Sequence, residues 1–337
     1  MSGSSLKIVI PMAGYGTRLR PHTWSRPKQL IRLADKMVID HVLDTFADLP
    51  NTFQTEYIFI VGYLGHKIEQ YMRSTHSDLK VRYVEQTEMR GQSHAISLAK
   101  DYLDGPMLMI YGDTLIKCDF SFLATETAEA VAWVKAVPDP RRFGVASLGE
   151  DGWVTHLVEK PQDVNNNLVL AGCYYFKNSS EVITALDEQM KRNVTLKDEF
   201  YFADAVNIML ERGLKMRVEH VDTWLDAGTS DDVLSTNRYL LEHGHDNTAE
   251  ASAHLKSVIR RPVFIHPTAN VENSVIGPHA AIGANCTIQS CIIRDSIIED
   301  ASVLTNVIME RSLIGREVHI EHQAGVMNVG DQTELTL

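Results

Sequence analysis

Residues 6–21 read LKIVIPMAGYGTRLRP, and this stretch decides the fold of the first two-thirds of the chain. Leu6-Lys7-Ile8-Val9-Ile10 is a short apolar run of the kind found in strands buried on both faces. Pro11 ends it, and a glycine loop opens at its carboxyl end. Downstream the alternation repeats. Val38, Val42, Leu43 and Phe46 recur at helical spacing; then come strand Tyr57 to Val61, a helix around Lys67 to Tyr71 and strand Val81 to Val84. Helix His94 to Asp101 and strand Met107 to Tyr111 follow. Such repetition predicts an α/β class fold with a mostly parallel, Rossmann-like sheet covered by helices on both faces. Ligands of such sheets bind outside the carboxyl ends of the strands, so residues just after Ile10 and Tyr111 are the first functional candidates.

From about Ala130 the pattern turns more mixed or antiparallel, with strands at Val131 to Val137, Gly144 to Leu148, Val154 to Glu159 and Val169 to Phe176. Helices are expected at Ser180 to Lys191 and Ala203 to Arg212, and a strand at Lys215 to His220. Glu242 to Lys256 is polar, carries three histidines and reads as a linker. Beyond it the chain repeats. Residues 275–290, 291–306 and 307–322 read VIGPHAAIGANCTIQS, CIIRDSIIEDASVLTN and VIMERSLIGREVHIEH. One apolar column holds Ile276, Ile292 and Ile308, a second Ile282, Ile298 and Ile314, a third Ile288, Leu304 and Ile320. Three columns of branched aliphatics are what a three-sided parallel β-helix needs, because one coil alone cannot bury them. Spacing by six within each block resembles the hexapeptide repeats of left-handed β-helices, with an irregular coil around Val263 to Val271 as its cap.

A chain of 337 residues suggests two domains. Apolar residues at 44% and charged residues at 23% exclude disorder and collagen-like structure. Thirty-two Lys and Arg against 44 Asp and Glu leave a net charge of −12, which argues against a nonspecific nucleic-acid binder. It does not exclude a phosphate ligand, which a few local cations and backbone amides can hold. No window approaches the roughly 18 apolar residues of a membrane span, so no membrane partner is expected. Met1 to Leu6 lacks the basic flank and apolar region of a secretory signal. Cys118, Cys173, Cys286 and Cys291 form neither a CxxC nor a disulfide framework. A cytoplasmic protein is the simplest expectation.

The loop Pro11 to Pro21, followed by Pro27-Lys28-Gln29-Leu30, carries the chemistry. Glycines let backbone approach a ligand, and successive N–H groups there can cradle phosphate oxygens. Arg18 can grip a phosphate as a planar fork and Lys28 can supply a point charge. The loop is not a P-loop, since G-x-x-x-x-G-K-[ST] is absent, and the dinucleotide fingerprint fails at Leu19, although Asp35 stands near the place of its acidic residue.

G-x-G-T-R-L-R-P-x-T followed by P-K-x-L resembles the signature of sugar-1-phosphate nucleotidylyltransferases, the NDP-sugar pyrophosphorylases. The matching elements extend in order from Gly14 to Asp226, and the tail resembles the left-handed β-helix of longer members. The likeness is nearest to glucose-1-phosphate thymidylyltransferase and uridylyltransferase types. It implies a catalytic domain over residues 1–241, a linker over 242–257, a β-helix over 258–325 and a C-terminal tail over 326–337. It also implies that Ala13, Gly14, Gly16, Thr17 and Arg18 wrap a nucleoside triphosphate while Lys28 neutralises its α-phosphate. Gln86 and Gly91 match the family's Gln-x4-Gly, in which the glutamine amide meets the base edge with one acceptor and two donors. Many members continue Gly-Thr-x-His-Ala; here Gly91-Gln92-Ser93-His94-Ala95 departs at Gln92, which bears on base selection.

Asp113 ends an apolar strand, and Asp226, in Trp224-Leu225-Asp226-Ala227-Gly228-Thr229, resembles the family's second metal carboxylate. Two distant aspartates converging on one phosphate suit Mg²⁺. Glu159-Lys160-Pro161 matches the family's Glu-Lys-Pro, whose glutamate accepts sugar hydroxyls and whose lysine holds the sugar phosphate. Gly144 and Gly172 match positions where backbone approaches the sugar. The implied catalytic set is Arg18, Lys28, Asp113 and Asp226, and the implied substrates are a nucleoside triphosphate and a sugar 1-phosphate. The nucleophile is already an anion, so catalysis rests on positioning and charge neutralisation without a serine or cysteine nucleophile. Glucose 1-phosphate with dTTP or UTP leads, and mannose 1-phosphate with GTP is the alternative. Two other classes stay open. One is acyl transfer by the β-helix with His266, His279, His319 or His322 as base, and the other is a non-catalytic sugar-nucleotide sensor. The stacked coil ends and flat aliphatic faces favour a homo-oligomer.

Overall fold

The computed structural model describes residues 5–254, 256–322 and 324–336; residues 1–4, at the start of the Met1 to Leu6 segment, lie outside them. The chain divides into two units, residues 1–14 with 42–224 and residues 15–41 with 225–337.

In the first unit, Ser5–Pro11 pairs in parallel with Gln54–Val61 on one side and Met107–Ile110 on the other, and Gln54–Val61 pairs in parallel with Val81–Glu85. The sheet then changes character, as the sequence predicts from Ala130. Leu168–Phe176 runs antiparallel to Met107–Ile110 and to Ala130–Ala136, and Gly144–Leu148 pairs antiparallel with Val154–Glu159. Leu6, Ile8, Val9 and Ile10 are fully buried, which is why the first strand is apolar without alternation. The register of Leu168–Phe176 shifts between Leu170 and Tyr174. Gly172 lies in this bulge with φ 75°, a left-handed conformation that glycine adopts at no steric cost. Helices Ser179–Arg192 and Phe202–Glu211 pack their apolar faces on the sheet through Val182, Ala185, Leu186, Phe202, Val206 and Met209. No helix among the described residues is long and apolar enough to cross a membrane.

Lys7 is the exception in its strand. Its ammonium is buried and meets Glu56 at 2.8 Å and Asp104 at 2.9 Å, while Arg82 and Lys80 also reach the Glu56 carboxylate. Burial alone would push Glu56 up, but the hydrogen bonds from Lys7, Arg82 and Lys80 prevail and hold it at about 2, below its usual 4.5. The stability this contributes is present above about pH 4.5 and is lost as pH falls towards 2. Glu56→Gln leaves a buried ammonium short of its partner, which costs about 3 kcal/mol at neutral pH, and it removes this part of the acid-induced loss. Denaturant titrations at pH 7 and across pH 2–5 read both effects, and wild-type stability at pH 7 would refute the assignment.

The second unit contains the parallel β-helix. One ladder stacks Val263–Ile265, Ala280–Ile282, Ile297–Ile298, Leu313–Ile314 and Asn328–Val329. A second stacks residues 270–272, Thr287–Gln289, Val303–Thr305, His319–Glu321 and Glu334–Thr336. A third stacks Lys256–Ile259, residues 275–276, Ile292–Arg294, Ile308–Glu310 and Ala324–Gly325. The corners turn at left-handed residues in three series: Asn273, Ser290, Asn306 and His322; His279, Asp295 and Arg311; Asn285, Ala301, Glu317 and Gln332. The result is a left-handed parallel β-helix whose strands continue into residues 328–336, and helix Thr248–His254 precedes it.

Two of the three expected columns face inward: Ile282, Ile298 and Ile314, and Ile288, Leu304 and Ile320, are all buried. The first needs correction. Ile276 is buried, but Ile292 and Ile308 are 42% and 51% exposed, and the buried partners of Ile276 are Ile293 and then Met309. The coil from Ile276 to Ile293 holds one residue more than the 16-residue repeat, around Gly277-Pro278. A slip of one residue turns a strand's side chains to the other face.

Candidate functional site

The candidate residues fall on both units, and each unit gathers its own set. In the first, Met12 N donates to Ile60 O at 2.8 Å and Gly112 N donates to Pro11 O at 3.2 Å. The loop leaving the first strand is thereby held between two neighbours, with Ala13 on one side and Asp113 just beyond Gly112 on the other. A Cβ at Gly62 would lie 2.6 Å from Ala13 O, so backbone meets backbone there.

Gln86 follows strand Val81–Glu85 and is 4% exposed. Its Nε2 donates to Gly91 O at 3.1 Å and lies 3.1 Å from His94 Nδ1. A carbonyl can only accept, so this contact fixes which end of the amide is nitrogen. His94 Nδ1 accepts the second N–H, which requires the neutral ring. Its pKa is lowered, first by burial and then by Arg90, in keeping with that form. Both Gln86 donors are therefore spent inside the protein, where the sequence reading had them meet a base edge.

Gly91 itself sits against Phe200. Phe200 N donates to Arg90 O at 2.9 Å and Ser93 N donates to Phe200 O at 3.0 Å. Gln92, the departure from the family pattern, accepts through Oε1 from Tyr111 Oη at 3.0 Å and Phe202 N at 3.3 Å.

At the end of strand Val154–Glu159, Lys160 takes φ 49°, a left-handed backbone unusual for a lysine. Its Nζ donates to Tyr201 Oη at 2.8 Å, lies 4.6 Å from that ring's centroid and 3.5 Å from Glu159 Oε1. Burial raises the Glu159 carboxyl above its usual 4.5, with Lys160 opposing the shift. A Cβ at Gly144 would lie 3.1 Å from Glu159 Oε2, and one at Gly172 would lie 2.6 Å from Tyr111 Cδ2. Residues 200–202 thus link the groups: Phe200 flanks Gly91, Tyr201 holds Lys160 and Phe202 bonds Gln92. Spacing does not announce Tyr201, 41 residues from its lysine.

In the second unit, Arg18 and Asp226 converge on Gly228. A Cβ there would lie 2.9 Å from Arg18 Nη2 and 3.1 Å from Asp226 Oδ1, so a side chain would displace one or the other. Thr236 Oγ1 donates to Asp226 O at 2.7 Å from helix Ser230–Glu242, which Thr229 caps by accepting from Asp232 N. Gly16 takes φ 62° and packs on Thr23, whose hydroxyl donates to Gly16 O at 2.8 Å. Thr17 and Arg18 are exposed, and Lys28 is half-buried in the turn Lys28–Leu30. The β-helix histidines proposed as bases engage local partners: His266 bonds Thr268, His279 bonds Glu242 and His322 lies beside Asn306.

Two family models, curated relatives and solved structures match this chain. The nucleotidyl transferase family matches residues 7–259, and a family described as the GMPPB C-terminal domain matches residues 259–335. A bifunctional protein GlmU from Methanocaldococcus jannaschii is 31% identical over 275 residues, 80% of this chain but only 61% of that protein's length. A glucose-1-phosphate thymidylyltransferase from Streptomyces antibioticus is 28% identical over 363 residues, covering 98% of this chain and 99% of that one. The solved structure of a UDP-glucose pyrophosphorylase complexed with UDP-glucose superposes with a TM-score of 0.60 at 21% identity, over 71% of this chain and 99% of that one, a likeness of fold. By the match over residues 7–259, most of its length, the chain belongs to the nucleotidyl transferase family.

Proposed function

We propose that the protein is a sugar-1-phosphate nucleotidylyltransferase, releasing pyrophosphate as it joins a nucleoside monophosphate to a sugar 1-phosphate. The observation that carries this reading is the cluster at residues 159–160. A lysine ammonium is held between a carboxylate and a tyrosine hydroxyl, which places a cation for a phosphate beside an acceptor for sugar hydroxyls. An oxygen of the sugar 1-phosphate attacks the α-phosphorus in line, the bond to the β-phosphate breaks and pyrophosphate departs. Arg18 and Lys28 offset charge on the triphosphate, and Lys160 holds the attacking phosphate.

Among the described residues no group of three or more His, Cys, Asp and Glu is placed to hold a metal ion. Mg²⁺ needs only one or two protein carboxylates, because phosphate oxygens and water complete its shell. Asp113 and Asp226 would hold it, and the bound ion would neutralise charge on the transferring phosphates.

With its donors spent on Gly91 and His94, Gln86 offers a base its carbonyl oxygen, an acceptor for an imino N–H. Thymine, uracil and guanine all carry one. Glucose 1-phosphate with dTTP or UTP stays the leading pair, supported by the full-length similarity to a thymidylyltransferase, and mannose 1-phosphate with GTP stays the second reading. Pyrophosphate release with Mg²⁺ across five nucleoside triphosphates and the 1-phosphates of glucose, mannose, galactose and N-acetylglucosamine tests the proposal. Release that needs both substrates supports it and names them; silence from folded protein would turn the reading to a sugar-nucleotide sensor or an acyltransferase.

Lys160→Ala is expected to raise KM for the sugar phosphate about tenfold or more, the size of a lost charged hydrogen bond, with little change in KM for the triphosphate. An unchanged sugar-phosphate KM would sink this role. Because Glu159 is raised from its usual range, it becomes protonated earlier as pH falls, and KM for the sugar phosphate rises on that acidic side.

A further inference from the structure

Segment 15–41 folds with the β-helix, and one buried carboxylate lies at the centre of the contact. Glu299 is completely buried, with a side-chain exposure of 0%. Its Oε2 accepts from Arg26 Nη1 at 2.9 Å, and its Oε1 accepts from Arg32 N at 3.0 Å. The two oxygens therefore bracket residues 26–32, the turn that carries Lys28. Nearby acids reinforce the seat: Arg32 Nη2 meets Asp300 at 3.1 Å, Arg26 Nη2 meets Asp331 at 3.4 Å, and Ser25 also bonds Asp331. His22 Nε2 lies 2.6 Å from Asn328 Oδ1, and Pro21 packs where a Cβ on Gly330 would stand. Thr23, between these anchors, holds Gly16.

Within the β-helix Glu299 Oε2 lies 3.6 Å from Arg316 Nε of the next coil, while the other coils carry no acid at this place. Ile282, Ile298, Ile314 and Val329 stack in register, and the residues that follow them are Gly283, Glu299, Gly315 and Gly330. Three coils place glycine, and the first places His266 after Ile265, where this coil places a buried acid. A buried ion pair is a poor source of net stability, because desolvation offsets its attraction; its best-attested use is to set register. Here the register set is that of backbone 26–32 against the coil.

We infer that Glu299 is a positioning residue for nucleotidyl transfer, fixing Lys28, and through Thr23 and Gly16 also Arg18, where the triphosphate binds. This rests on the proposed function. It makes the β-helix a working part of the triphosphate site through a side chain that touches no substrate.

The test compares Glu299→Gln, Glu299→Asp and Leu304→Ala in the full chain, by thermal melting and by steady-state pyrophosphate release. Leu304 is a buried residue of the β-helix core, so its truncation destabilises without touching the bracket. Folded Glu299→Gln is expected to lose about 10- to 100-fold in kcat/KM for the triphosphate, the effect of one charged hydrogen bond. KM for the sugar phosphate should stay within about twofold, since Lys160 is not touched. Glu299→Asp, which keeps the charge, should recover part of the loss, and Leu304→Ala should melt earlier with kcat/KM unchanged. Amide exchange should rise over residues 24–32 in Glu299→Gln alone. Wild-type kcat/KM in folded Glu299→Gln, or an equal loss in Leu304→Ala, would overturn the inference while leaving the function standing. A wild-type protein silent with every substrate pair would overturn both.

Discussion

Asp226→Asn is expected to lower turnover by about two to three orders of magnitude, the range seen when one fixed electrostatic contact to a transition state is removed, and to leave the fold intact. Asparagine has the same shape, and the backbone is held independently of the side chain, because Thr236 donates to the Asp226 carbonyl. What changes is charge. The carboxylate and Arg18 both lie beside Gly228, and an amide is a far weaker donor to Mg²⁺ than a carboxylate. Asp113→Asn, beyond a strand end tied to Pro11 through Gly112, is expected to act in the same direction. Rates near wild type in either variant, with unchanged melting, would refute the carboxylate assignment.

Gly91→Ala is expected to cost about 3 kcal/mol of stability, from left-handed strain and two disturbed backbone hydrogen bonds, and to raise KM for the triphosphate. Gly91 has φ 96°, and a Cβ there would lie 2.6 Å from both the nitrogen and the oxygen of Phe200. Those are backbone atoms bonded to Arg90 and Ser93, so no side chain can swing away. The backbone at Phe200 must shift, and with it the Gly91 carbonyl that orients Gln86. Wild-type melting and KM would show that the segment gives way freely. Gly14 is the contrast: a Cβ there meets nothing within 4 Å. Gly14→Ala should fold normally, and any lost activity would report on the approach of substrate.

The architecture was legible because its signals are local. Unbroken burial of Leu6 to Ile10, the switch to antiparallel pairing after Ala130 and two of three β-helix columns follow from short-range patterns. The first column failed where one additional residue near Gly277 changed the period, and a fixed-length repeat cannot register a single insertion. Contiguous candidate motifs were readable residue by residue, and Glu159 and Lys160 do lie side by side. The sequence was silent where a partner came from afar: Tyr201 for Lys160, Phe200 for Gly91, and the inward turn of the Gln86 amide.

From the sequence alone came the residue types a nucleotidyl transferase needs, in their order, and the period of the coil that follows them. Tertiary structure alone decided that segment 15–41 folds with the β-helix, and that a glutamate 273 residues from Arg26 brackets the Lys28 turn. Periodicity encodes which face of an element is buried, because neighbours in the chain are neighbours on the face. Which distant acid meets which cation is settled only when both are desolvated together, and no spacing records that.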